Sequence, residues 1–332
     1  MESSKKRVAG LDILRVMAIL TVITVHFLYN TNFYKTPLEG WAMTLQTWFR
    51  WSLLVSVPTF LLLTGYLNFN KVVSRSYYGG ILKVLIPYFI YSALAIAYRI
   101  YWLGENHSVL EWIYLLLHFK AIGYAWYVEM YIGLFLLSPF LNRLYKALSR
   151  NEKLALIGTL VFMTSSFGSV DLMNKILPQY WMAIYPVTYY IIGAYIREYQ
   201  PQIGKIRGWL LFGGISLIYL IVPTFIYGGE PFKRIFGGWG SLPVLISSTL
   251  FFILLYKSDI KNFILKRFVT SISMVSFDMY LVSFIVDGIV YKILMERYFL
   301  TQQQVFPYIF IVVPIVFFST YLVGLVRSKV IS

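Results

Sequence analysis

Asp12, Arg15 and His26 interrupt the first apolar segment of the chain, Val8 to Tyr29, and are the residues there best able to do chemistry. Ionisable side chains inside a bilayer are penalised by roughly 3 kcal/mol each on insertion scales, so their retention points to a site. Their spacing groups them. Arg15 and His26 are eleven residues apart, which at about 100° per residue puts them on one helix face, about 16 Å apart along the axis. Asp12 falls within about 40° of His26 on the same count. One stripe therefore carries an acid, a base and an imidazole. A histidine with a carboxylate neighbour takes a proton from a hydroxyl, the carboxylate fixing its tautomer. The bland alternative for a single buried histidine is a hydrogen bond to a backbone carbonyl.

The elements that must position these residues are membrane helices. Hydrophobic residues make up 59% of the 332-residue chain and charged residues 13%, far outside the range of soluble domains. Apolar stretches lie at about 8–29, 41–67, 84–103, 124–145, 153–168, 181–197, 209–228, 239–257, 268–291 and 304–326. The expected architecture is an all-α integral membrane bundle of ten transmembrane helices, with N- and C-termini cytoplasmic and residues 1–332 forming one domain. The fifth and sixth spans are short and flank a loop with Asp171, Lys175 and Pro178. Loop charge supports the count, since alternate loops on the side of the N-terminus hold nineteen of the 29 lysines and arginines. The same distribution accounts for the net charge of +15 through topology and lipid headgroups rather than nucleic acid. There is no cysteine, and the three histidines are dispersed, so neither disulfides nor a metal site is expected.

Orientation assigns depths. His26 lies near the outer surface and Asp12 and Arg15 near the cytoplasmic one. Glu129, Asp287 and Arg99 fall at the level of His26, and Arg50 somewhat deeper. These side chains can line one outward polar cavity, with Glu129 or Asp287 orienting His26. Equally, the two carboxylates can simply neutralise Arg99 and Arg50. His107 and His118 fall in an external amphipathic stretch and read as surface residues.

Leu11-Asp12-Ile13-Leu14-Arg15, followed at a fixed interval by His26, resembles the opening signature of the membrane acyltransferase-3 family. Pro58-Thr59-Phe60 running to Thr64-Gly65-Tyr66-Leu67, Lys83 running to Pro87-Tyr88, and Ala125-Trp126-Tyr127 before Ser138-Pro139 are similar to its later blocks. So are Tyr189-Tyr190-Ile191-Ile192-Gly193-Ala194-Tyr195 and Ser273-Met274-Val275-Ser276-Phe277-Asp278-Met279-Tyr280-Leu281, so the resemblance covers nearly the whole chain. It implies an O-acyltransferase of the bacterial cytoplasmic membrane, moving an acyl group, usually acetyl, from acetyl-CoA to a hydroxyl of an envelope glycan or lipid-linked sugar. His26 is then catalytic, either accepting the acyl group transiently or taking the acceptor hydroxyl's proton directly. Arg15, Lys83, Arg75 and Lys71 are expected to hold the donor's phosphates, although Lys71 and Arg75 also suit positive-inside anchoring. Trp126, Tyr127 and Tyr66 are expected to line the acyl passage or stack on a sugar, with Arg50 and Arg99 beside the substrate. Tyr124 and Ser283 stand where relatives often carry further histidines. The alternative is a secondary transporter or flippase for an envelope oligosaccharide precursor, since many helices, proline breaks and a buried histidine also suit alternating access.

Overall fold

The first apolar segment winds into α1, Ala9–Tyr29, closed by Asn30, whose backbone and side-chain amides both donate to the His26 carbonyl at 2.8 Å. Its start is pinned by a two-pronged bond from Arg7 to Asp12, at 2.6 and 2.8 Å. In this computed structural model, which describes residues 7–165, 179–297 and 301–330, every described element of regular structure is helical. The remaining helices are α2 Gly40–Ser52, α3 Ser56–Asn68, α4 Arg75–Gly79, α5 Leu82–Tyr101, α6 Val109–Leu117, α7 Trp126–Ala147, α8 Arg150–Thr164, α9 Gln179–Met182, α10 Tyr185–Tyr199, α11 Lys205–Tyr227, α12 Leu242–Leu255, α13 Phe263–Arg297, α14 Gln302–Val305 and α15 Ile309–Val330.

Within the described residues each of the ten expected apolar stretches overlaps helix, the end of 153–168 lying outside them. Among the described residues, six stretches are long and apolar enough to cross a membrane: Ala9–Tyr29, Gly40–Asn68, Arg75–Tyr101, Lys205–Tyr227, Phe263–Met295 and Gln302–Val330. The chain is thus an all-α protein with the build of a multi-pass membrane protein. The other four expected spans are α7, α8, α10 and α12. Helix α7 has the length but carries Glu129, Asn142, Arg143 and Lys146. Helices α8 and α10 have 15 residues each, about 22 Å of rise against a hydrocarbon core of about 30 Å. The loop with Asp171, Lys175 and Pro178 lies outside the described residues.

The second expected span is two helices. A short 3-10 turn, Leu53–Val55, separates α2 from α3. Pro58, in the first turn of α3, has no amide hydrogen to extend the ladder back into α2, and the Thr59 hydroxyl donates to the Val55 carbonyl at 2.6 Å. The break turns Arg50, at the end of α2, and Ser56 and Val57, at the start of α3, toward the interior.

Two contacts organise the bundle around α1. Helix α3 packs closely on α10 because Gly65 meets the Tyr190 carbonyl and Gly193 meets the Leu62 carbonyl, so backbones touch where a side chain would part them. Helix α13 lies along α1. Ser273 donates to Asp12 at 2.7 Å, and fourteen residues further along both helices His26 meets Asp287 at 2.9 Å. The same sequence offset of 261 at both contacts means that α1 and α13 run parallel and in register. On α13 the residues Ser273, Ser276, Tyr280, Ser283 and Asp287 recur at three- and four-residue intervals, a polar stripe that faces the polar stripe of α1.

Candidate active site

His26 is 9% exposed, and Asp287 opposite it is fully buried. His26 Nδ1 lies 2.9 Å from Asp287 Oδ2. An ionised carboxylate only accepts, so this contact assigns the proton to Nδ1 and leaves the lone pair on Nε2. Nε2 has no hydrogen-bond partner among the described residues, and the ring borders a large cavity. Tyr124 lies over the imidazole, with ring centroids 3.8 Å apart, and its hydroxyl accepts from Asn30 at 2.8 Å. Ser283 Oγ stands 3.5 Å from Nδ1. The imidazole is therefore held by its carboxylate, by the tilted Tyr124 ring over it and by the close of its own helix.

The cavity has a volume of about 710 Å³ and runs from Arg15, Thr64, Asn68 and Lys83 to His26, Tyr29, Tyr34, Arg50 and Arg234. Between these ends its walls are Val22, Val25, Phe60, Leu63, Tyr127, Tyr131, Phe277 and Tyr280. Trp126 stacks on Trp239 at 4.4 Å beside it. Arg15 touches Asp12 at 3.6 Å and Ser273 at 3.4 Å, both long contacts that leave most of its donors uncommitted. Arg50 is 8% exposed. Its Nε donates to the Tyr34 hydroxyl, and its guanidinium lies 5.6 Å from the centre of the Phe232 ring.

Of the residues expected at the site, the structure brings His26, Arg15, Lys83, Arg50, Trp126 and Tyr127 to the cavity wall, with Asp287 buried behind His26. It does not bring the others. Glu129 is exposed on the stripe of α7 that carries Leu137, Phe140 and Leu144, away from His26, because the turn of α7 that faces inward holds Tyr127 and Tyr131. Arg99 is spent locally, bonded to Glu105 at 2.7 Å and to the Lys120 carbonyl at 3.1 Å. Tyr66 is buried against Phe252 and Tyr256, and its hydroxyl accepts from Arg197 at 3.2 Å. Lys71, beyond the end of α3, and Arg75, the first residue of α4, are exposed and do not line the cavity.

Four residues join the site without having been expected in these roles: Tyr124, Ser283, Tyr34 and Arg234. Ser283 carries a readable signal, being four residues before Asp287 and so on the same face of α13. Tyr124, Tyr34 and Arg234 come from connecting segments, which have no periodicity to read.

The profile of the acyltransferase-3 family, an acyltransferase domain, matches residues 8–325. The chain belongs to the acyltransferase-3 family. No curated protein and no solved structure matches it.

Proposed function

We propose that this membrane acyltransferase moves an acetyl group from acetyl-CoA, bound at the Arg15 end of the cavity, to a hydroxyl of an envelope carbohydrate or lipid-linked sugar at the His26 end. The observation that carries the reading is the His26–Asp287 pair, 2.9 Å apart, on a cavity that also reaches Arg15 and Lys83. Bound CoA supplies an activated acyl group. Arg15 and Lys83 offer donors for its phosphates, Arg15 through a largely uncommitted guanidinium. The rise of α1 between Arg15 and His26, about 16 Å, is the distance a pantetheine arm must cover. His26 Nε2 takes the proton of the acceptor hydroxyl as its oxygen attacks the acyl carbon. Asp287 holds the ring in the tautomer that can do so and balances the charge that develops on it. The proton then leaves on the departing thiolate. Tyr127, Tyr131 and Phe277 keep the reacting region dry.

In this reading ten helices cross a bacterial cytoplasmic membrane, with both termini on the cytoplasmic side. The parallel course of α1 and α13 supports it, since a first and a ninth span must run in the same direction. The deciding experiment gives purified protein acetyl-CoA and crude envelope glycan, wild type beside His26→Ala. CoA release should be lost in a variant that still expresses and melts normally. Unchanged glycan acetylation by that variant overturns the proposal.

A further inference from the structure

Among the described residues, four cationic side chains line the cavity and no carboxylate does: Arg15 and Lys83 toward one end, Arg50 and Arg234 toward the other. The donor's phosphates account for the first pair. The proton transfers assigned to His26 make no use of the second. Arg50 is nine-tenths buried, has no carboxylate within ion-pair distance among the described residues, and neither of its terminal nitrogens makes a hydrogen bond there; NH1 is fully buried. A buried guanidinium without a counter-charge is costly, and most simply retained where a ligand supplies that charge. Its position is also built. Tyr34 takes its Nε bond and the guanidinium sits over the Phe232 ring, and the two loops that carry them are tied by backbone bonds, Leu38 to Glu230 and Gly229 to Leu38, at 2.8 and 2.9 Å. The fork is thereby aimed before any ligand arrives, in the geometry that suits a phosphate or a carboxylate.

Resting on the acyl-transfer reading, we infer that the acceptor is an anionic hydroxyl compound, a polyol or sugar that carries phosphate or carboxylate. Its charge docks on Arg50, with Arg234 at the mouth, while its hydroxyl reaches His26 Nε2. Transfer leaves the anion untouched: the acyl carbon–sulfur bond breaks, the acyl carbon–oxygen bond forms, and the hydroxyl proton passes through His26 to the thiolate.

The test uses the purified full chain and four acceptors: glycerol 3-phosphate, glucuronate, and the neutral counterparts glycerol and methyl glucoside. CoA release should show a lower KM for an anionic acceptor than for its counterpart, and the better of the two anions separates phosphate from carboxylate. Arg50→Gln should raise that KM about tenfold, the value of one charge-assisted hydrogen bond, leave the KM for acetyl-CoA unchanged, and not lower the melting temperature. Arg50→Lys, which keeps the charge, should recover part of the loss. Equal use of neutral and anionic acceptors overturns the inference. So does a raised KM for acetyl-CoA, which assigns Arg50 to the donor, or a fall in kcat shared by all acceptors, which assigns it to the acyl oxygen. Should none of the four release CoA, transfer is judged by the envelope-glycan assay above, and binding then decides the anion site alone. Glycerol 3-phosphate or glucuronate binding with saturating CoA present, weakened about tenfold in Arg50→Gln, supports it; mutual exclusion with CoA, or no binding, overturns it.

Discussion

In the proposed acyl transfer a single contact fits His26 for proton transfer rather than a purely structural role, the bond from its Nδ1 to a carboxylate inaccessible to water. Asp287 gives Oδ2 to the imidazole, and its other oxygen is buried with Tyr124 as a neighbour. Replacing it with asparagine keeps the shape and removes the charge, and an amide that presents its NH2 group to Nδ1 favours the wrong tautomer. Asp287→Asn should therefore lower kcat by about a hundredfold with the KM for acetyl-CoA unchanged, and His26→Ala by about a hundred- to ten-thousandfold. Steady-state CoA release in detergent or nanodiscs measures both. A rise in donor KM with kcat preserved would assign the pair to binding instead. At this scale the sequence made His26 and Arg15 legible, because their interval on one helix needs no tertiary information. It left Glu129 and Asp287 equivalent, since depth follows from topology but the azimuth of α7 and α13 does not. Arg99 misled for a different reason: its partner Glu105 is six residues away in a connecting segment, where no periodic pattern predicts a contact.

Helices transmit this residue chemistry because two of them are locked in register. Asp12 with Ser273 and His26 with Asp287 fix both ends of the α1–α13 seam, and the first contact sets the depth at which the second occurs. The chain has no cysteine, so a pair introduced at Asp12 and Ser273 should cross-link under mild oxidation, whereas a pair at Asp12 and Asp287 should not. The opposite result means antiparallel or slipped helices. The α3–α10 contact offers a second test. Gly65→Ala drives a methyl group into the Tyr190 carbonyl and should destabilise the protein by about 1–3 kcal/mol, while Gly133→Ala, with open space around it, should leave melting unchanged or raise it. Outside the bundle, the Arg99 hydrogen bond holds Glu105 below the usual carboxylate range, against the opposing effect of burial. A depressed folded value contributes stability above the unfolded one and loses it as pH falls through the folded one. The protection of α6 amides, measured against their intrinsic exchange rates, should therefore fall only in acid, and in Glu105→Gln should be low at every pH. The break between α2 and α3 was the feature of this scale hidden from sequence, because Pro58 permits a continuous kinked helix as readily as two helices, and packing decides.

Across the whole molecule, one cavity has a basic group at each end and the imidazole at the second, which makes sidedness the property that function depends on. A donor made in the cytoplasm can reach an acceptor outside it only if Arg15 and His26 face different compartments through the same space. The positive-inside bias and the parallel α1–α13 seam both argue for this arrangement, the former from charges spread over many loops and the latter from two hydrogen bonds. Single cysteines in the otherwise cysteine-free chain measure it directly. Tyr29→Cys, just beyond His26 and exposed, should react with an impermeant maleimide from outside intact cells, and Lys71→Cys, exposed beyond the end of α3, only after the membrane is opened. Asn68→Cys, on the cavity wall near Arg15, should react from the same side as Lys71→Cys and be protected by CoA. If Tyr29→Cys and Lys71→Cys label from one side, the cavity does not join two compartments, and the donor and acceptor must meet on the same face of the membrane. The direction of CoA protection then still reports which end of the cavity binds the donor. Protection of Tyr29→Cys rather than Asn68→Cys would reverse the division of labour along α1, moving the phosphates to Arg50 and leaving Arg15 to the acceptor.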